Sequence, residues 1–395
     1  MIPTVPAYIS DIMSLMHKND FSPYLVGGCV RDFLMGKTPH DFDITVCVCP
    51  DAIIRLFEDN NYRTIPKGRK FGTIGVLCGK EVVEITPYRI EGSYTDSRHP
   101  DTVEFVKDIS LDLSRRDFTI NAMAMDKDGK ILDLFGGKED LTGKTVRCVG
   151  KADKRFGEDA LRILRAIRFA SRLGFTIEEK TRLAMSNKKH LLHNISAERI
   201  HSELEGTLIH PRSYEILTDC SDVIAEIIPG FVPHEFLKSD YGDFSARLFS
   251  CILTNNFSDI CKICDFLKLS NAEADKIKSM HTLYTQMLTL DKGKIIFDEK
   301  TKTALCTLCS EYIKDLFLIT NSDTKELLDF LDNGIYTVKK LAVSGGDIAN
   351  SEIFPKSETS NVLQNVLYAV ALGRINNTRE EIFNYLDFLL NNKSE

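Results

Sequence analysis

The chain has 395 residues and a mass of 44.6 kDa, with 43% hydrophobic residues, 27% charged residues and a formal net charge of −7. This is an ordinary globular composition with apolar material for two or three domains, and it excludes a chain disordered throughout. With no run of about 18 uncharged apolar residues, no basic flank and apolar core at the N-terminus, and an odd, scattered set of eleven cysteines, a spanning helix, a secretory signal and a disulfide framework are not expected; a reducing cytoplasm is.

Residues 1–145 read as mixed α/β. Short β-branched or apolar runs at Tyr24–Val26, Asp43–Val48, Thr73–Leu77, Val82–Thr86 and Thr102–Val106 lie between Gly, Pro, Asn and Asp, and predict one modest sheet. The segment Leu25-Val-Gly-Gly-Cys-Val-Arg-Asp32 reads as strand, turn and helix, in which Gly27 and Gly28 let the backbone approach a phosphate. Next comes His40-Asp-Phe-Asp-Ile-Thr45. Asp41 and Asp43, two apart on what reads as a strand, then share a face and can bind one or two hard divalent cations, as two-metal nucleotidyl transfer requires. An isolated Asp-x-Asp is more often a solvated strand end, and the Gly-Gly-x-Val-Arg-Asp context tips the balance. Glu84, in Val82-Val-Glu-Ile-Thr-Pro-Tyr-Arg89, is the candidate third carboxylate; by itself it reads as a solvent-facing strand residue.

Arg115-Arg116-Asp117-Phe-Thr-Ile-Asn121 places two guanidinium forks beside a carboxylate that can orient one of them. An arginine here suits the triphosphate of a nucleotide, although a surface basic pair is the commoner fate of such a dipeptide. Between Thr145 and Ile200 thirteen basic residues face six acidic ones, a cationic segment in an acidic chain that suits a polyphosphate partner. Within it, Gly157-Glu-Asp-Ala-Leu-Arg-Ile-Leu-Arg-Ala-Ile-Arg-Phe-Ala-Ser-Arg172 predicts a helix with Ile163, Ile167 and Ala170 on one face and Arg165, Arg168 and Arg172 roughly opposite. Asp159 and Arg162, three apart, offer an acceptor and a planar donor fork, the pair needed to imitate the edge of a base. The plainer alternative is an acidic first turn with a solvated arginine face.

From Asp153 onward the pattern is almost entirely helical, with breaks that put boundaries near 145, 210 and 320. Cys261-Lys-Ile-Cys264 and Cys306-Thr-Leu-Cys309 are too far apart for a zinc ribbon and read as buried small hydrophobes. No catalytic constellation stands out beyond Pro211.

Taken together in order, the Gly-Gly-x-Val-Arg-Asp and Asp-Phe-Asp element, the Arg-Arg-Asp-Phe-Thr-Ile-Asn element, the Glu-Asp-x-x-Arg helix and Ser196-Ala-Glu-Arg-Ile200 resemble the tRNA nucleotidyltransferases, or CCA-adding enzymes, of the bacterial and eukaryotic class. The resemblance runs from about Tyr24 to about Leu208, half the chain. It implies an α+β protein: a small mixed-sheet nucleotidyltransferase head (1–145) followed by an all-helical neck (146–210), body (211–320) and tail (321–395). It implies that Asp41 and Asp43 bind catalytic Mg²⁺ with Glu84 as third carboxylate, and that Gly28, Arg31 and Arg116 contact nucleotide phosphates. Asp159 and Arg162 would pair with the incoming base, with Arg165 and Arg168 on the same helix. The substrates implied are CTP, ATP and the 3′ end of tRNA. Arg89 to Val103, with Tyr94, Asp96, Arg98 and Pro100, resembles the loop of members that add the final adenosine, and no His-Asp pair beyond His40-Asp41 marks a phosphohydrolase domain. An adenosine-only enzyme or a poly(A) polymerase shares these motifs. A noncatalytic RNA-binding protein is the rival from another class, against which stands the intact set of Asp41, Asp43, Glu84 and Arg116.

Overall fold

The computed structural model describes residues 5–66, 72–92, 102–210, 212–307, 310–351 and 353–392. The chain divides into two compact units, Met1–Val232 and Pro233–Glu395. The division falls in Pro229-Gly-Phe-Val-Pro233, a stretch whose Pro and Gly punctuate the sequence, and it groups residues 211–232 with the first unit.

In the first unit, α1 (Ala7–Lys18), β1 (Tyr24–Val26), α2 (Gly28–Leu34), β2 (Asp43–Val46), α3 (Pro50–Asp59), β3 (Arg63–Pro66), β4 (Ile74–Cys78) and β5 (Glu81–Pro87) come first. They are followed by β6 (Arg89–Glu91), β7 (Val103–Phe105), α4 (Ile109–Ser114), β8 (Met123–Met125), β9 (Ile131–Asp133), α5 (Gly137–Thr142) and β10 (Thr145–Val146). Then come α6 (Ala152–Glu158), α7 (Leu161–Leu173), β11 (Thr176–Ile177), α8 (Glu179–Lys188), α9 (Ala197–Leu208), α10 (Ser213–Asp219) and α11 (Ser221–Ala225). Seven strands, among the described residues, form one mixed sheet in the order β3-β4-β5-β2-β1-β8-β9. Only β2 and β5 run parallel in it, which requires the crossover through α3, β3 and β4.

The sheet buries one face against α1 and α3. Ile9, Ile12, Met13 and Met16 fall at helical spacing on α1, Ile53 and Phe57 do so on α3, and they pack on Ile44, Val46, Val76 and Ile85 of the strands. The β-branched runs at 24–26, 43–46, 74–78 and 81–87 join this sheet as expected. The run Thr102–Val106 does not: β7 pairs antiparallel with β6 in a separate ribbon. That ribbon brackets residues 93–101, so Tyr94, Asp96, Arg98 and Pro100 lie outside the described residues. The helical stretch after Asp153 is interrupted in this unit by β11, which pairs in parallel with β10 upstream of that stretch.

The second unit contains nine α-helices among its described residues, together with a short strand pair, Leu290–Asp291 with Lys294–Ile295, and a π-helical turn at Leu283–Met287. Buried Arg247 donates to the carbonyls of Gly242, Leu237 and Ser239 and so fixes the loop before its helix. Val343, Ile348, Val362, Val366, Ile382 and Leu386 form a small core near the C-terminus. Cys261, Cys264 and Cys306 are free thiols, half-buried or buried, and burial pushes the Cys264 and Cys306 thiols up to about 11. Cys309 lies outside the described residues. No helix among the described residues is long and apolar enough to cross a membrane.

Candidate active site

A cavity of about 340 Å³ opens where β1 ends, and the residue that shapes its floor is Gly27. Its φ of +75° belongs to the left-handed region, and a Cβ there would stand 3.3 Å from Arg116 Nη1 and 3.9 Å from Asp43 Oδ2. Glycine therefore serves two needs at once, the turn into α2 and the close approach of backbone to a guanidinium and a carboxylate.

Asp43 is the first residue of β2, whereas Asp41 lies in the segment leading into it. The expectation that both sit on one strand is thus corrected: the β ladder begins only at Asp43, where pairing with Glu84 of β5 starts. Both aspartates nevertheless line the cavity. In the parallel register Asp43 stands opposite Glu84, so the third carboxylate is brought alongside by sheet pairing, although Glu84 is outside the cavity lining. Solvent reaches the Asp43 carboxyl through the cavity mouth, yet the surrounding protein desolvates it and pushes its pKa up; Arg116 opposes the shift, and Glu84 and Asp41 add to it. No group of three or more His, Cys, Asp or Glu side chains among the described residues is placed to hold a metal ion. What the cavity offers a cation is the pair Asp41 and Asp43, two carboxylates whose hard oxygen donors fit a divalent ion.

Arginines ring the rest of the cavity, each held by a defined acceptor. Arg31, buried in α2, donates Nη1 to Asn121 Oδ1 (2.8 Å) and Nε to Asp32 Oδ1 (3.0 Å). Asn121 donates to Asp117 Oδ1 (3.3 Å), and Asp117 Oδ2 takes both Nε (3.0 Å) and Nη2 (2.7 Å) of Arg165. Burial alone would raise the Asp117 carboxyl, but Arg165 and Arg162 outweigh it and hold the group below the usual carboxylate range. Arg168 donates to Glu203 of α9 (2.6 Å). The guanidinium carbons of Arg31, Arg165 and Arg168 lie 5.4, 5.3 and 4.7 Å from the centre of the Phe169 ring, so one buried aromatic ring gathers three cations.

Asp117 does not orient the neighbouring arginines, as the sequence suggests it can. That task belongs to Asp112 of α4, fully buried, which takes Arg115 at Nε (3.0 Å) and Nη2 (2.8 Å) on one oxygen and Arg116 at Nη2 (3.1 Å) on the other. Arg116 thereby turns its Nη1 toward Gly27, while its buried Nε has no hydrogen-bond partner among the described residues.

Gly27, Gly28, Arg31, Asp41, Asp43, Arg116, Asp117, Asn121, Arg165 and Arg168 all line the cavity; Glu84, Asp159 and Arg162 do not. Asp159 closes α6, its oxygens accepting from Leu161 N (3.0 Å) and Arg199 Nη2 (3.3 Å). Arg162 pairs with Glu158 (2.9 Å) and donates to the carbonyl of Arg115 (3.1 Å), so the two side chains are each anchored elsewhere and not to one another. Of the arginine stripe of α7, Arg165 and Arg168 are half-buried against protein and cavity, while Arg172 lines the cavity but stays exposed to solvent. Asp112 and Phe169 carry no motif of their own and escape a reading of the sequence, and the position of Phe169 inside the arginine repeat is the signal that marks it.

Residues 23–147 match the family described as Poly A polymerase head domain, and residues 174–221 the one described as Probable RNA and SrmB-binding site of polymerase A. The CCA-adding enzyme of Bacillus subtilis is 36% identical over 389 residues, covering 95% of this chain and 96% of its own. That of Lactobacillus helveticus is 34% identical over 402 residues, covering 98% of each. The chain belongs to the CCA-adding enzyme family. Among solved structures, the Bacillus stearothermophilus CCA-adding enzyme in complex with CTP matches with 26% identity, 99% coverage of both chains and a TM-score of 0.74. The Thermotoga maritima CCA-adding enzyme complexed with tRNA shares the fold at 22% identity and a TM-score of 0.73, with 98% of this chain and 96% of that one covered.

Proposed function

We propose that this member of the CCA-adding enzyme family extends the 3′ end of tRNA by C, C and A from CTP and ATP without a nucleic-acid template. The observation that carries the reading is the convergence of Asp41 and Asp43 with Arg31, Arg116, Arg165 and Arg168 on one cavity. In the reaction the terminal ribose oxygen bonds the α-phosphorus as the bond to pyrophosphate breaks. Arg31 and Arg116, prepositioned by Asn121 and Asp112, bind the triphosphate and hold the departing charge. Gly27 and Gly28 let the phosphates approach the backbone.

Asp41 and Asp43, with Glu84 beside them, would hold the divalent ion, assigned here as Mg²⁺. When bound it supplies activation of the attacking hydroxyl and neutralisation of phosphate charge. Asp159 and Arg162 are assigned to reading the base of the incoming nucleotide, an acceptor and a donor fork fixed by Arg199 and Glu158. The helical regions 146–210, 211–320 and 321–395 are assigned as neck, body and tail, the last two cradling tRNA through backbone and shape. Ten described cysteines are free, in keeping with a cytoplasmic location.

A primer-extension assay on tRNA transcripts ending before CCA, after C and after CC, each with CTP, ATP or both, tests the assignment at single-nucleotide resolution. Ordered addition of C, C and A followed by arrest is expected. Adenosine added only to the CC-ended transcript would make it an A-adding enzyme, and an unarrested adenosine ladder a poly(A) polymerase.

A further inference from the structure

The cationic segment between Thr145 and Ile200 offers far less free charge than its composition suggests. Eight of its thirteen basic side chains are tied to carboxylates inside the protein. Lys151, Lys154, Arg172, Lys180 and Lys188 have no such partner among the described residues. Arg172 lines the catalytic cavity. Three of the other four, Lys151, Lys154 and Lys180, share a second cavity of about 700 Å³ between α6 and α8, twice the volume of the first.

The two carboxylates on this groove do not cancel the lysines. Glu178 is committed: one oxygen takes both the backbone N–H (2.8 Å) and the hydroxyl (2.7 Å) of Thr181, and the other lies 3.6 Å from Arg147. That leaves exposed Asp153 against three exposed ammonium groups. Gly150, at φ +71° with open space where a Cβ would be, turns the chain so that Lys151 reaches the rim.

The lining chemistry selects the ligand. No aromatic ring lines the groove, so it lacks a platform for stacking a base. Its free cations are lysines, point charges on flexible stems that suit successive phosphates and not the fixed fork geometry of a single nucleotide. Its one large apolar side chain, Leu183, gives a protein partner no hydrophobic anchor cluster. We propose that the groove between α6 and α8 is a docking track for the sugar-phosphate backbone of the tRNA substrate, separate from the nucleotide cavity. The proposal rests on the reading of the chain as a tRNA-extending enzyme.

The test is the full-length triple variant Lys151→Gln, Lys154→Gln, Lys180→Gln, with the matching triple Lys→Arg variant, assayed for tRNA affinity across a salt series and for steady-state CTP addition. Loss of three phosphate contacts should lower the slope of log Kd against log salt by about 2 to 3 and raise KM for tRNA by about tenfold. KM for CTP and the turnover at saturating tRNA should stay within about twofold of wild type, because the groove holds only the RNA. The arginine triple should restore the wild-type slope. An unchanged slope and KM in the glutamine triple, which is also what a protein-docking groove would give, overturns the track while leaving CCA addition standing. A KM for CTP that rises in step with that for tRNA overturns it too, since the effect would then pass through the fold. Wild-type enzyme that fails to extend tRNA sinks the underlying reading instead. Should the triple not fold, Lys180→Glu alone carries the same comparison.

Discussion

Replacing Asp112 by Asn tests how the phosphate-binding arginines are held. The wild-type carboxylate, fully buried, takes two hydrogen bonds from Arg115 and one from Arg116. Asparagine keeps the shape and one acceptor, but it sets an NH₂ against a guanidinium and removes the charge. Breaking a buried ion pair from one side costs about 3–5 kcal/mol. The two arginine side chains are each 18% exposed and recover part of their hydration, which puts the expected loss near the lower end, about 3 kcal/mol. In a unit the size of Met1–Val232 each kcal/mol moves the midpoint by roughly 2–4 °C, so the melt should fall by about 6–12 °C. Burial pushes the Asp112 pKa up, but Arg115 and Arg116 outweigh it, and the net shift is downward from 3.8. The pair's stabilisation is therefore complete above the ordinary carboxylate range and lost as pH falls through the depressed folded value. Thermal melts of both proteins from pH 7 into acid should show a full gap at neutral pH that starts to narrow only below the ordinary carboxylate range. KM for CTP should rise about tenfold as Arg116 loses its anchor. A variant melting within about 2 °C of wild type at pH 7, with unchanged KM, would refute the anchoring role.

Asp41→Ala should leave the melt within about 1 °C and reduce nucleotide transfer on the order of 10³-fold, the several kcal/mol a catalytic cation supplies; full activity would remove Asp41 from the site. Asp159→Ala deletes the acceptor of the base-reading pair, so competition between CTP and ATP on each tRNA end should lose discrimination, and unchanged selection would take Asp159 out of that role. Phe169→Leu removes the ring shared by Arg31, Arg165 and Arg168, each contact worth about 0.5–1 kcal/mol, and should raise KM for CTP severalfold. Phe169→Tyr should keep the wild-type value, and equal KM values for leucine and phenylalanine would dismiss the ring.

Much of the site was legible because its chemistry is local in the chain. Gly27-Gly28, Asp41 with Asp43, and Arg115-Arg116 are contiguous patterns whose residue types have few other uses together, and all but Arg115 line the catalytic cavity. What stayed hidden depends on tertiary pairing. Arg116 is bound four residues back by Asp112 and not one residue forward by Asp117, because Asp112 sits on the inner side of α4 while Asp117 faces α7. The same holds for Arg162, which turns to Glu158 rather than Asp159. In the fold, β8 (Met123-Ala-Met125) lacks β-branched residues, and β9 and β3 are short, so neither propensity nor alternation announces them. Conversely, Thr102–Val106 has strand composition but pairs outside the main sheet, since composition names a strand and not its neighbour.

The parallel pairing of β2 with β5 carries a consequence for the young protein. Asp43 and Glu84 meet only after the chain has crossed through α3, β3 and β4, and the ring of arginines closes only when α7 is in place. A ribosome releasing the chain at about 5–20 residues per second therefore exposes fragments that each hold a piece of the catalytic apparatus and none that holds enough of it. A chain interrupted before α7 lacks Arg165, Arg168 and Arg172 and so leaves the cavity without that wall. The site therefore assembles late: its lining runs from Gly27 to Arg172, and no shorter stretch of the chain holds all of it.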